Sequence, residues 1–123
     1  MPLFIAMNHF DVEPAHAAEF EARWRERDTY LREVPGFVRF ALLRASEPGP
    51  QAATQSDGGA QRAEGERRSQ RYVSHSTWES RAAFEAWTRS EAFRRAHGQA
   101  RMPAGVLRGH PRLETFEAVL EQA

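Results

Sequence analysis

The sequence predicts an α+β fold with the element order β-α-β-β-α-β, built as one domain from 123 residues. Three observations predict it. Leu3 to Val12 alternates as a strand does, two separate stretches repeat apolar residues at helical spacing, and short apolar runs bounded by turn residues flank both.

In the first strand, Phe4, Ala6, Asn8, Phe10 and Val12 share one face, and Leu3, Ile5, Met7, His9 and Asp11 share the other. Pro14 punctuates. From His16 to Val34, Phe20, Trp24, Leu31 and Val34 fall at helical spacing, and Pro35-Gly36 ends the predicted helix. Phe37 to Arg44 is apolar enough for a central strand. Ala45 to Gln70 carries Pro48, Gly49, Pro50, Gly58, Gly59 and Gly65 and almost no large apolar residue, so it reads as a long flexible loop between the second and third strands. Arg71 to Trp78 is the third strand. Ser80 is an N-cap, Phe84 and Trp87 mark an apolar helical face, and Thr88 to Ser90 reads as a break with a second cap at Ser90. Ala92, Phe93 and Ala96 lead on to His97, and Gly98 suits the C′ position. Met102 to Pro111 is irregular, and Leu113 to Leu120 is the last strand.

This order is the split βαβ, ferredoxin-like arrangement. Two helices cover one sheet face. The other is left bare, so a partner sheet is expected on it, giving a homodimer of the α+β barrel kind. A chain this short buries a limited share of its surface alone, and a dimer interface adds to it.

Charge narrows the function. Basic and acidic residues number 17 each, so nothing electrostatic points to nucleic acid or an anionic membrane. The absence of Cys excludes disulfides, thiolate metal sites and Cys nucleophiles. Met1 to Met7 is apolar but too short to span a bilayer and lacks the features of a signal peptide, so a cytoplasmic location is expected. P-loop, GxGxxG, GxSxG and HExxH motifs are missing.

Four places could carry chemistry. Asn8 is an amide on an otherwise apolar strand face; it either bonds a neighbouring loop or strand edge, or donates into a pocket between sheet and helices. His97 ends an amphipathic helix one turn after Phe93 on the same face. It can complement the helix dipole or bind a metal, and haem iron needs a single proximal His. Zinc would need more ligands, and His9, His16, His75 and His110 show no spacing that gathers them. Trp87 precedes His97 by ten residues, too far round one straight helix to share its face, unless the break at Thr88 to Ser90 redirects it. Arg23 and Arg27 are helical neighbours beside the Phe20–Trp24 stripe. They pair with Glu19 and Glu26 at a solvated rim, or receive carboxylates at a pocket lip.

The runs Thr77-Trp78-Glu79-Ser80, Ala83-Phe84-Glu85-Ala86-Trp87 and Ala92-Phe93-Arg94-Arg95-Ala96-His97 carry a resemblance, together with Pro35-Gly36-Phe37, Leu42-Leu43-Arg44 and Asn8. Over most of its length apart from Ala45 to Gln70, the chain resembles the haem-degrading members of the antibiotic biosynthesis monooxygenase (ABM) superfamily, the small haem oxygenases of staphylococcal and mycobacterial type. The resemblance implies a catalytic set of Asn8, Trp87 and His97. His97 would be the iron ligand, Asn8 a distal hydrogen-bond donor, and Trp87 would press on and ruffle the macrocycle. It also implies that Arg23 and Arg27 lie near the propionates, with Phe93 at the cofactor. Haem would be cofactor and substrate at once, consumed with O2 and electrons from an external donor such as a reductase. Two other readings stand beside it. One is a cofactor-free monooxygenase of quinols or polyketide phenols, with the same residues lining an organic pocket. The other is a non-catalytic haem-binding or dimeric interaction protein.

Overall fold

The structure, a computed structural model, describes residues 2–46, 69–98 and 102–122. Its strands are β1 (Phe4–Val12), β2 (Phe37–Arg44), β3 (Gln70–Trp78) and β4 (Arg112–Glu117). Its α-helices are α1 (Ala17–Glu26), α2 (Arg81–Thr88) and α3 (Glu91–Gly98). The sheet order is β2-β3-β1-β4, and all three pairings are antiparallel. This is the ferredoxin-like α+β fold that the sequence predicts, with the second helix divided in two.

The alternation of β1 decides which face is core. Phe4, Ala6, Phe10 and Val12 are buried, as are Tyr72, Ser76 and Trp78 opposite them on β3. A one-residue slip would turn each set outwards, so burial pins the register. β2 breaks the period: its pairing shifts between Phe37 and Arg39, leaving Val38 as an extra residue. That bulge lets Phe37, opposite Trp78, and Phe40, opposite Ser76, both turn to the helices although they are three positions apart. Two buried clusters result. One joins Phe10, Val12, Phe20, Tyr72 and Val106, and the other joins Phe4, Leu31 and Trp78.

The first helix is shorter than the helix expected over His16 to Val34. α1 ends at Glu26, and Arg27 turns extended at φ −86, ψ 146. The Asp28 carboxylate accepts the Tyr30 amide at 2.8 Å, an Asx turn that competes with helical bonding, and Tyr30 stands left-handed at φ 59. A 3-10 turn, Leu31–Glu33, follows and still buries Leu31. The last strand also stops early: β4 ends at Glu117, and Val119 and Leu120 are 97% and 77% exposed.

The other sheet face carries Ile5, Met7 and His9 of β1, Leu43 of β2, Val73 and His75 of β3, and Phe116 of β4. No described helix covers it, and Leu43 and Phe116 are 45% and 44% exposed. The loop expected over 45–70 lies mostly outside the described residues. Its two ends prolong the β2–β3 pairing, with Ala45 donating to the Arg71 carbonyl at 2.9 Å.

Candidate active site

Between the two buried clusters, under the helices, lies a cavity of about 440 Å³. It touches Phe10 and Phe20 of the first cluster and Leu31 of the second. Small-molecule sites span roughly 300–1,000 Å³ and are mostly apolar with a few placed polar groups. This cavity fits that description. Seven Phe and Trp side chains contribute to its wall, and Asn8, Arg27, Thr29, Ser74, Ser76, Thr88 and His97 supply polarity.

Asn8 is on the core face of β1, half-buried, between Ser74 of β3 and Leu113 of β4. It lines the cavity, so its amide faces the space between sheet and helices.

Trp87 and His97 reach the same cavity because the second helix breaks between them. Ser80 caps α2, accepting the Ala83 amide at 3.2 Å, and Ser90 caps α3, accepting the Phe93 amide at 3.1 Å. Both caps fall where Ser precedes an amphipathic run. Across the break the Trp87 and His97 ring centroids are 6.2 Å apart, and Phe93 of α3 touches both rings, edge-on to Trp87 at 4.8 Å and stacked on His97 at 3.9 Å. Gly36 lets α2 lie close to the start of β2. It holds φ 83, and a Cβ there would collide with the Ala83 side chain.

His97 has a fixed tautomer. Its Nδ1 is 2.9 Å from the Phe93 carbonyl oxygen. A carbonyl can only accept, so Nδ1 carries the proton and the neutral ring keeps its lone pair on Nε2. Histidines that bind metals are held in this way, with the other ring nitrogen donating to a carbonyl or carboxylate. Among the described residues no cluster of three His, Cys, Asp or Glu could hold a bare metal ion. A single imidazole suits haem iron, because the porphyrin itself supplies the iron's four nitrogen ligands.

The two arginines part company. Arg23 stays on α1, 3.7 Å from Glu19, and does not line the cavity. Arg27 lies beyond the helix end, where the extended backbone swings it over the Trp24 ring, 3.8 Å from its centroid. Burial pushes the Arg27 pKa down to about 10, so it stays cationic at neutral pH. Its Nε and the Nε1 atoms of Trp24 and Trp87 are buried without a hydrogen-bond partner among the described residues. An unpaired buried donor costs about 1–3 kcal/mol, so three donors around one cavity suit a polar or anionic guest.

Trp24 is a cavity-lining residue that sequence reasoning missed as a candidate for the site. It was legible only as a helical stripe position, yet it lines the cavity and stacks on Phe40 at 5.7 Å. Ser74, Ser76 and Leu113 were likewise invisible before the strand register placed them around Asn8.

The model of the antibiotic biosynthesis monooxygenase family matches residues 3–53 and 59–99. The chain belongs to this ABM family. A search of curated proteins found no match. Among solved structures the ABM chain is similar to MhuD, a haem degrader of Mycobacterium tuberculosis determined with two haems in its active site, at 27% identity and a TM-score of 0.66 over 98% of this chain and 99% of that one. It is also similar to SnoaB, a cofactor-independent oxygenase of Streptomyces nogalater, at 21% identity and a TM-score of 0.61 over 98% and 97% of the two chains. A Bacillus cereus protein gives a TM-score of 0.70 at 16% identity, covering 100% of this chain and 97% of its own. The last two likenesses show the shared fold. Among the described residues no helix is long and apolar enough to cross a membrane.

Proposed function

We propose that this ABM protein is a haem-degrading monooxygenase that opens the porphyrin with O2 and electrons from an external donor and releases the iron. The observation that carries the reading is His97: its Nδ1 proton is committed to the Phe93 carbonyl at 2.9 Å, which leaves Nε2 as a ligand beside an aromatic-walled cavity. The likeness to a mycobacterial haem degrader at 27% identity supports it.

The residues present fit the group. When bound, haem supplies the iron that activates dioxygen, and its own ring is the bond framework that is cut. His97 holds the iron and keeps its tautomer through Phe93. The rings of Trp87 and Phe93 exclude water and press on the macrocycle. Asn8 donates a hydrogen bond from the β1 side of the cavity. Arg27, cationic on Trp24, attracts a propionate; Arg23, engaged with Glu19, contributes at most long-range charge. The functional unit is a homodimer through the bare sheet face, where Leu43 and Phe116 are exposed. Buried apolar surface drives such association.

The first test is a haem titration followed at the Soret band, with ascorbate added at saturation. Saturable binding that then bleaches to a visible-absorbing tetrapyrrole supports the reading. No saturable binding overturns it and leaves a cofactor-free oxygenase of quinols or phenols. Binding without bleaching leaves a non-catalytic haem protein. Sedimentation equilibrium tests the dimer. A wild-type monomer, or an unchanged association state in Leu43→Arg, refutes that interface.

A further inference from the structure

We infer that Ser90 is a positioning residue for the candidate site, because its single hydroxyl ties the helix end that carries Trp87 to the helix that carries Phe93 and His97. The inference rests on the proposed role of His97 and Trp87 at one bound ligand.

The geometry is a short chain of bonds. Ser90 Oγ donates to the Trp87 carbonyl at 2.6 Å and accepts the Phe93 amide at 3.1 Å. The Ser90 amide donates to the same Trp87 carbonyl at 2.9 Å. The Phe93 carbonyl then receives the His97 Nδ1–H at 2.9 Å. The Trp87 backbone is thus joined to the His97 ring by hydrogen bonds at Ser90 and at the Phe93 carbonyl with the Phe93 backbone between them, and Ser90 is the one side chain in the series that both gives and takes. The rings follow the backbone: Phe93 lies edge-on to Trp87 at an interplanar angle of 81° and nearly parallel to His97 at 25°. A change in the angle between α2 and α3 would shift Phe93 and His97 together relative to Trp87, leaving the bond from His97 Nδ1 to the Phe93 carbonyl within α3 intact.

Capping alone needs only an acceptor at Ser90. The tie needs a donor as well. Thr has both, ionised Asp accepts only, and Ala has neither. These three substitutions separate the two roles. An Asp at this place keeps α3 capped but presents a negative charge to the Trp87 carbonyl and cannot donate to it.

The test reads the contacts between the Trp87 ring and the Phe93 and His97 rings by proton NMR (nuclear Overhauser contacts and ring-current shifts) on the protein without haem, in wild type and in Ser90→Thr, Ser90→Asp and Ser90→Ala. The wild type and Ser90→Thr are expected to show the same contacts. Ser90→Asp and Ser90→Ala are expected to weaken them, with Ser90→Asp keeping wild-type helix content by circular dichroism. With haem added, the same two variants are expected to show a shifted Soret band. Wild-type Trp87 ring contacts in Ser90→Asp or in Ser90→Ala overturn the inference and leave Ser90 an ordinary helix cap. Failure of every variant, wild type included, to bind haem would sink the haem reading while leaving the ring-contact result to stand or fall alone.

Discussion

Replacing Tyr72 by Phe tests what holds α1, and with it Trp24, against the sheet. Tyr72 is 1% exposed, and its hydroxyl donates to Glu21 of α1 at 2.6 Å. The substitution keeps the ring that packs on Phe20 at 4.6 Å, so no cavity term enters. Glu21 retains Arg44 and Arg25, so no lone charge is buried. What is lost is one hydrogen bond to a charged acceptor, worth about 1.5–3 kcal/mol. The Arg44 and Arg25 pairs do not replace it, since both arginine side chains are largely exposed at 60% and 75%. The cost should depend on pH in a defined way. The Tyr72 hydroxyl and then Arg44 hold the Glu21 carboxyl below its usual value of 4.5. A depressed carboxylate contributes stability that is present above its unfolded pKa and lost as pH falls through the folded one. On the alkaline side, burial and then the Glu21 bond push the Tyr72 pKa from 10.0 up to about 12. A raised group contributes stability that is present below its unfolded pKa and lost as pH rises through the folded one. The cost of Tyr72→Phe should therefore be flat near pH 7 and smaller at pH 3. Urea unfolding of both proteins at the two pH values measures it. A cost under about 0.5 kcal/mol at pH 7, the low end for a neutral hydrogen bond, would refute the reasoning. So would an equal cost at pH 3.

His97→Ala should abolish the Soret spectrum of His-ligated haem; an unchanged band would rule out His97 as ligand. Asn8→Ala should keep haem affinity and slow bleaching under ascorbate, and a wild-type rate would make Asn8 structural. Gly36→Ala should cost about 2–5 kcal/mol in urea unfolding, from left-handed strain plus overpacking against Ala83. A loss below about 1 kcal/mol would show that α2 can move off β2 cheaply.

Much of the site was readable because its signals are local. Ser80 and Ser90 cap helices where Ser precedes an amphipathic run, and the break before Ser90 is what lets Trp87 and His97 share a cavity although they are ten positions apart. The Pro35-Gly36 stop and the alternation of β1 are equally local, and they set the element order and the face on which Asn8 lies.

Other features depended on partners distant in the chain. Arg23 and Arg27 look equivalent at helical spacing, but the Asx turn at Asp28 ended the helix and carried Arg27 alone over Trp24. Leu31 and Val34 continue a helical period that the backbone abandons, because burial of Leu31 is satisfied by a 3-10 turn as well as by a helix. The bulge at Val38, which turns both Phe37 and Phe40 inwards, leaves no mark in the residues themselves. By itself the sequence determined the periodicity, the caps and the residue types available for chemistry, since these are properties of neighbours along the chain. Only the tertiary structure decided which strand pairs with which, which nitrogen of His97 is engaged and which indole nitrogens find no partner among the described residues, since register and hydrogen-bond competition are settled by groups the chain brings together only on folding.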